Sequence, residues 1–216
     1  MHLTIALNDD DAAGPGGWRV DVAWRDLSAR VHLLSADERA RCDAMTATGA
    51  AHLRRAAHVF KREVVGARLG LAPEAVTFAS GEGRPRLARP HDATHVSLSH
   101  GNGAVAVAVA NRPVGVDIEA IARTDDAVRL AARYFEPAEA RLIGESADAQ
   151  FEFAWRWTAK EALLKACEIS LTEALATPLG ADARPRGAAP FTLQARDAHI
   201  TVFAPVQGYV CSVAKR

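Results

Sequence analysis

Asp117 and Glu119 stand two residues apart in the run Val114-Gly115-Val116-Asp117-Ile118-Glu119. Side chains alternate along a strand, so an extended run puts both carboxylates on one face, roughly 7 Å apart by strand rise. Val114, Val116 and Ile118 then share the core face. Two carboxylates placed in this way suit a hard cation such as Mg²⁺, which takes oxygen from one or two carboxylates plus substrate phosphates. Gly115 leaves the backbone beside them open to close approach. The same hexapeptide also reads as a solvated edge strand that carries two acids.

A second group lies on the helix expected from Phe151 to Glu168. On a helical wheel Phe151, Trp155, Ala159, Ala162, Leu163 and Ala166 share a broad apolar face, and Phe153, Trp157 and Leu164 form a second strip. Glu152, Arg156 and Lys160 line one polar stripe. Glu161, Lys165 and Glu168 line another, with apolar surface on both flanks. Glu161 and Lys165 at i,i+4 read as an ordinary surface pair, or as the charged lining of a cleft. Three of the four lysines of the chain are Lys61, Lys160 and Lys165, and the last two fall within this one helix.

Weaker signals sit in the first half. Gly81-Glu82-Gly83-Arg84-Pro85 is a loop whose backbone N–H groups and Arg84 fork suit phosphate, or a plain turn. Ser99 and His100 close the run Ser97-Leu98-Ser99-His100 just before a glycine turn. Arg39 and Arg41, then Arg54 and Arg55, form a basic group that fits a phosphate monoester or a solvated arginine-rich surface. No nucleophile elbow, zincin helix, Walker loop or dinucleotide-binding glycine motif occurs. The chemistry that remains is metal-assisted work on phosphates, without a covalent residue.

These residues need elements to hold them. Trp18–Trp24 alternates as a strand. Ser35-Ala36-Asp37-Glu38 is a capping box that opens a helix from about Ala36 to Met45. A longer helix runs Arg54–Leu69, ending at Gly70. Val76–Ala79 is a short strand, and His95–Ser99 with Ala104–Ala110 makes a hairpin. In the second half Val114–Glu119 is a strand, residues 126–145 hold one or two helices with Pro137 at a break or a start, and the long helix follows. Gly180–Pro190 is a loop. Phe191–Ala195, His199–Ala204 and Tyr209–Ala214 are strands.

The halves say nearly the same thing twice: His95-Val-Ser-Leu-Ser aligns with His199-Ile-Thr-Val-Phe, and Lys61 with Lys160. The expected fold class is α+β. It has two similar pseudo-repeat halves, 1–111 and 112–216, each a long helix on a small, mostly antiparallel sheet. A cleft between such halves is the natural place for a ligand. Charge is balanced, 26 basic against 26 acidic residues, which argues against bulk nucleic-acid binding. No long apolar run predicts a membrane span, and no secretory leader is expected. Cys42, Cys167 and Cys211 are scattered, which fits a reducing, cytoplasmic setting.

Taken together, Val114–Glu119 (VGVDIE) and Trp157–Lys165 (WTAKEALLK), with Gly83-Arg84-Pro85 and Ser97–His100 in support, resemble the 4′-phosphopantetheinyl transferases of the Sfp type. The resemblance runs from about Ser35 to the C-terminus. It implies transfer of the phosphopantetheine arm of coenzyme A to a serine of an apo acyl or peptidyl carrier protein, with release of adenosine 3′,5′-bisphosphate. It implies Asp117, Glu119 and Glu161 as Mg²⁺ ligands, and Glu161, or a water it orients, as the base. It implies Lys165 on the pyrophosphate, and Arg41 and Arg54 on the 3′-phosphate. Arg84, Pro85, Ser99, His100 and Lys160 are further coenzyme contacts. Asp117, Glu161 and Lys165 form the catalytic set. The chain departs from the pattern at Arg84, where lysine is common, and at Glu38, where some relatives are basic. A monomer is expected, since two fused halves remove one need for a dimer. Two alternatives stand beside this reading: a non-catalytic module that binds coenzyme A or a carrier, and a Mg²⁺-dependent phosphohydrolase.

Overall fold

The computed structural model describes residues 2–7, 18–23, 28–45, 48–79, 83–121, 126–180 and 190–216. The chain is α+β with antiparallel sheets, and it divides into two units, Met1–Arg112 and Pro113–Arg216. Among the described residues no helix is long and apolar enough to cross a membrane.

The first unit contains β1 (His2–Leu7), β2 (Trp18–Ala23), α1 (Ala36–Asp43), α2 (Thr48–Leu69), β3 (His95–Gly101) and β4 (Ala104–Ala110). Its sheet has the order β1-β2-β4-β3. Helix α2 forms because Leu53, Ala57, Phe60 and Val64 recur at helical spacing, and this stripe packs on Val105, Val107 and Val109 of β4. The helix starts one turn or more before Arg54 and stops before Gly70, whose φ of +69° suits glycine. The hairpin β3–β4 forms as expected. The other elements of this unit differ in part from the expected ones. Strand β1 is additional to the expected elements. Trp24 lies outside the described residues. The strand expected at Val76–Ala79 is only an isolated bridge between Phe78 and Leu87, flanked by hydrogen bonds from Ala79 N–H to the Arg86 carbonyl and from Ala88 N–H to the Thr77 carbonyl.

What holds α1 on α2 is a buried carboxylate. Ser35 and Glu38 make the reciprocal capping box. The Glu38 carboxylate then accepts from Lys61 Nζ at 2.8 Å and from Arg62 Nε at 2.7 Å. Arg62 also donates to the carbonyl oxygens of Pro73 and Val76, and Lys61 lies 3.8 Å from the centre of the Phe78 ring. Burial alone would raise the Glu38 pKa. The hydrogen bonds from His58, Lys61 and Ser35, with the charge of Lys61, outweigh burial and hold it well below the usual carboxylate range.

The second unit contains β5 (Val114–Ala120), α3 (Ala127–Tyr134), α4 (Pro137–Gly144), α5 (Ala149–Cys167), α6 (Leu171–Ala176), β6 (Phe191–Ala195), β7 (Ala198–Phe203) and β8 (Tyr209–Lys215). Its sheet order is β5-β8-β7-β6. Pro137 opens α4, where its missing N–H costs nothing. Helix α6 is likewise additional to the expected elements, although Ser170 and Glu173 form a second capping box. Residues 181–189 of the expected loop lie outside the described residues. The broad apolar face of α5 packs as read: Trp155, Ala159, Ala162, Leu163 and Ala166 meet Leu193, Ile200, Val202, Val210 and Ala214 of the sheet. The second strip also packs, with Phe153 stacked on Phe135 at 5.1 Å. Phe135 is therefore core, and the exposed apolar residues of α3 are Val128 and Tyr134.

Glu38 is lowered in the folded state, so its stabilisation is present above its ordinary value of 4.5 and is lost as pH falls below that value. Removing one partner of a buried ion pair typically costs about 3–5 kcal/mol. Glu38→Gln is expected to lose about that much stability at pH 7, and the gap to the parent protein is expected to shrink steadily below pH 4.5. Urea unfolding at a series of pH values checks this; a gap independent of pH would refute the role given to the carboxylate.

Candidate active site

Strand β5 pairs with β8 alone, yet it is not a solvated edge: Val114 through Ile118 are all buried. The cause is its closeness to α5. A Cβ placed on Gly115 would lie 2.0 Å from the Ala162 carbonyl oxygen, 2.7 Å from the Ala166 nitrogen and 2.8 Å from the Lys165 Cβ. The glycine thus admits the helix backbone rather than a ligand. Alternation puts Asp117 on that same face, so the face carrying the acid looks toward α5. The reading in which Val114, Val116 and Ile118 alone face the core is corrected, because both faces of the strand are covered.

Lys165 reaches over β5. Its ammonium donates to the Val116 carbonyl at 2.9 Å and to Asp117 Oδ1 at 2.8 Å. Asp117 is 5% exposed, so this contact is largely shielded from water and stronger than a surface pair. Glu161 lies one helical turn before Lys165 and is half-buried. Burial raises its pKa first, the charge of Asp117 raises it further, and Lys165 offsets part of the rise. Asp117, Glu161 and Lys165 therefore form one coupled group of two acids and a base.

The third expected ligand is Glu119, on the strand face that Asp117 occupies. Among the described residues no three of His, Cys, Asp and Glu stand close enough to hold a metal ion. Glu119 is half-buried near the end of β5. The donor set still fits a hard cation. It offers carboxylate oxygens, and the charge of Asp117 makes Glu161 hold a proton more tightly, a repulsion that a cation would relieve.

Lys160 takes a different direction from its neighbour Glu161. It is fully buried, and its ammonium reaches Glu139 Oε2 at 2.8 Å and the carbonyl oxygens of Leu175 and Thr177. Arg156 is equally buried, paired with Glu152 and stacked over Trp155. The stripe Glu152-Arg156-Lys160 is interior, and it ties α4 and α6 to α5. Glu139 is a partner that sequence reasoning missed. Its only signal was its place in the first turn of α4, one turn after Glu136.

In the first unit, Arg41 is exposed on α1 and Arg54 half-buried on α2. Arg41 lowers the proton affinity of Lys61, and Arg54 lowers that of His58 and reaches the Met45 sulfur just past α1, so both lie at the α1–α2 junction. Arg55 pairs with Asp43 at 2.7 Å. Glu38, which in the sequence looks like a gap in the basic cluster, is instead the buried acceptor that orders it. Arg84 and Pro85 are half-buried after Gly83, whereas Gly81 and Glu82 lie outside the described residues. Ser99 and His100 do not share a face: consecutive strand residues point opposite ways, and Ser99 is buried while His100 is exposed.

Residues 113–214 match the family model of the 4′-phosphopantetheinyl transferase superfamily. The chain contains, in its second unit, a domain of that superfamily. It is 33% identical over 159 residues to the 4′-phosphopantetheinyl transferase HetI of Nostoc sp., covering 69% of this chain and 66% of that one. It is 27% identical over 135 residues to the 4′-phosphopantetheinyl transferase of Bacillus subtilis, covering 61% and 59%. The matched segments thus span less than two thirds of each relative, 66% and 59%. The holo-[acyl-carrier-protein] synthase (AcpS) of Thermotoga maritima is similar at 21% identity over 48% of this chain and 64% of that one, with a TM-score of 0.35. The superfamily match encloses β5 and α5, the elements that carry Asp117, Glu161 and Lys165.

The closeness of β5 to α5 predicts an outcome at Gly115. Overpacking against backbone that cannot yield costs about 3 kcal/mol or more. Gly115→Ala is expected to lose at least that much in urea unfolding. Gly144→Ala, whose nearest neighbour would be a Val128 methyl at 3.8 Å, is expected to be neutral or stabilising. Equal effects at the two sites would refute the tight contact.

Proposed function

We propose that this chain transfers the 4′-phosphopantetheine moiety of coenzyme A to a serine hydroxyl of an apo acyl or peptidyl carrier protein. The observation that carries the reading is the contact of Lys165 with Asp117 at 2.8 Å beside a half-buried Glu161 of raised proton affinity, inside the matched residues. The serine oxygen attacks the pyrophosphate phosphorus next to the pantetheine. The bond from that phosphorus to the bridging oxygen breaks, and adenosine 3′,5′-bisphosphate leaves. The serine proton passes to Glu161 or to a water it orients. A raised proton affinity suits that role, since a base works best with a pKa near the working pH. Lys165, held by Asp117 and the Val116 carbonyl, sets a fixed positive charge where negative charge grows on the leaving phosphate.

Asp117 and Glu161, with Glu119 as a further donor, would hold Mg²⁺, which when bound supplies charge neutralisation on the pyrophosphate oxygens. Arg41 and Arg54 serve the 3′-phosphate in this reading. Arg84, Pro85, Ser99 and His100 are further coenzyme contacts, whereas Lys160 acts through the packing of α5. We read the two units as pseudo-repeats, and two features support this. In each unit the strand before the long helix pairs with the last strand, which pairs with the one before it. Each long helix also buries a lysine against a glutamate from a preceding short helix, Lys61 on Glu38 and Lys160 on Glu139. The protein acts as a cytoplasmic monomer in this reading.

The test is an intact-mass measurement on a panel of apo carrier proteins incubated with the protein, coenzyme A and Mg²⁺. A gain of about 340 Da on one carrier serine is expected, the mass added by phosphoryl transfer of the arm to a hydroxyl. Asp117→Asn, Glu161→Gln and Lys165→Met are each expected to slow transfer by about 100-fold or more while remaining folded. Coenzyme A bound but unmoved would indicate a binding module, and coenzyme A cleaved with the carriers unchanged would indicate a hydrolase.

A further inference from the structure

The apolar interface between α5 and its sheet is broken by one hydrogen-bonded hydroxyl pair. Thr158 Oγ1 lies 2.7 Å from Ser212 Oγ, and both residues are fully buried. Thr158 Oγ1 is also 3.0 Å from the Trp155 carbonyl, which can only accept. Each hydroxyl has one proton, so the chain has a direction: Ser212 donates to Thr158, and Thr158 donates to Trp155. A bond of this kind does not merely fill space, as the surrounding alanines do, because its length and angle tolerate little slip.

Its place is specific. Ser212 is the cross-strand partner of Asp117, on the same face of the sheet. Thr158 precedes Glu161 by three residues, about 4.5 Å along the helix axis. Lys165 makes the next polar tie between α5 and β5, to Asp117 and to the Val116 carbonyl. Glu161 therefore sits on the stretch of helix bracketed by two hydrogen-bonded anchors, and both anchors end at the Asp117–Ser212 rung. Between them, Ala162 rests against Gly115, which sets how near the helix lies but has no polar grip to stop it sliding or rolling.

We propose that Thr158 and Ser212 are positioning residues that fix the placement of Glu161 against Asp117, and so set the affinity of that acid pair for a divalent cation. The inference rests on the reading of the acids as a cation site given above. Thr158→Val keeps the shape, removes the anchor and leaves the Ser212 hydroxyl without its acceptor. Thr158→Ser keeps the hydroxyl. Leu163→Ala, a cavity in the same helix away from the acids, serves as a control for general loss of stability.

The measurement is Mn²⁺ binding to the intact protein by water-proton relaxation, with the rate of carrier modification read in parallel. Loss of an outer-shell partner typically weakens metal binding by about 10- to 100-fold, so Thr158→Val is expected to bind Mn²⁺ about tenfold more weakly. Its kcat is expected to fall by a similar factor with the KM for coenzyme A unchanged. Thr158→Ser is expected to restore both, and Leu163→Ala to keep the parent affinity although its melting temperature falls. Parent-like Mn²⁺ binding by Thr158→Val overturns the positioning role and leaves the transferase reading standing. A loss in Leu163→Ala equal to that in Thr158→Val overturns it as well. A parent protein that neither binds Mn²⁺ nor transfers the arm refutes the transferase reading, and the positioning role with it.

Discussion

Helix α5 lies so close to β5 that only a hydrogen atom fits at Gly115, under the carbonyl of Ala162. Much of the second unit follows from that approach. It buries the acid-bearing face of an edge strand, which would otherwise meet water. It brings the aliphatic stem of Lys165 across the strand, so the ammonium can satisfy both a backbone carbonyl and the Asp117 carboxylate. It also takes Glu161 partly out of water, and that desolvation is the largest reason its proton affinity rises. Had residue 115 carried a side chain, the helix would stand off and Lys165 would no longer reach Asp117 and the Val116 carbonyl together.

Each unit also relies on buried charge. Glu38 gathers Lys61, Arg62 and the cap of α1, and Glu139 gathers Lys160 and the turn at Leu179. Such groups add little net stability over an apolar replacement, because desolvation offsets most of the attraction. What they impose is direction. An apolar contact between short helices admits several registers, whereas a carboxylate with several donors admits one. In the first unit that register brings Arg41 of α1 toward Lys61 of α2. In the second it fastens α4 and α6 to the back of the helix that carries Glu161.

Much of this is legible in the residues themselves. The strands at 95, 104, 114, 191 and 209 follow from alternation and glycine punctuation, and α5 from its two apolar strips. The pairing of Lys165 with Asp117 is not derivable from spacing, because the two are far apart in sequence, but the family resemblance brings both into the site. The misses have local causes. Strand β1 is a six-residue run at a sheet edge. Helix α6 is six residues long, too short for periodicity to show, and only its capping box marks it. Lys160 looks like a ligand contact in the sequence because a wheel gives direction around one helix and says nothing of what lies opposite.

Sequence alone determined the element order, the membership of the apolar faces and the set of residues able to do chemistry, because these depend on periodicity and on side-chain type. Tertiary structure decided which of those residues meet. It turned Lys160 and Arg156 inward and made Glu38 a buried acceptor. The reason is that a charge is costly to bury unless a partner is waiting. Whether a partner is waiting depends on the distance between elements remote in the chain, and no local pattern encodes that distance.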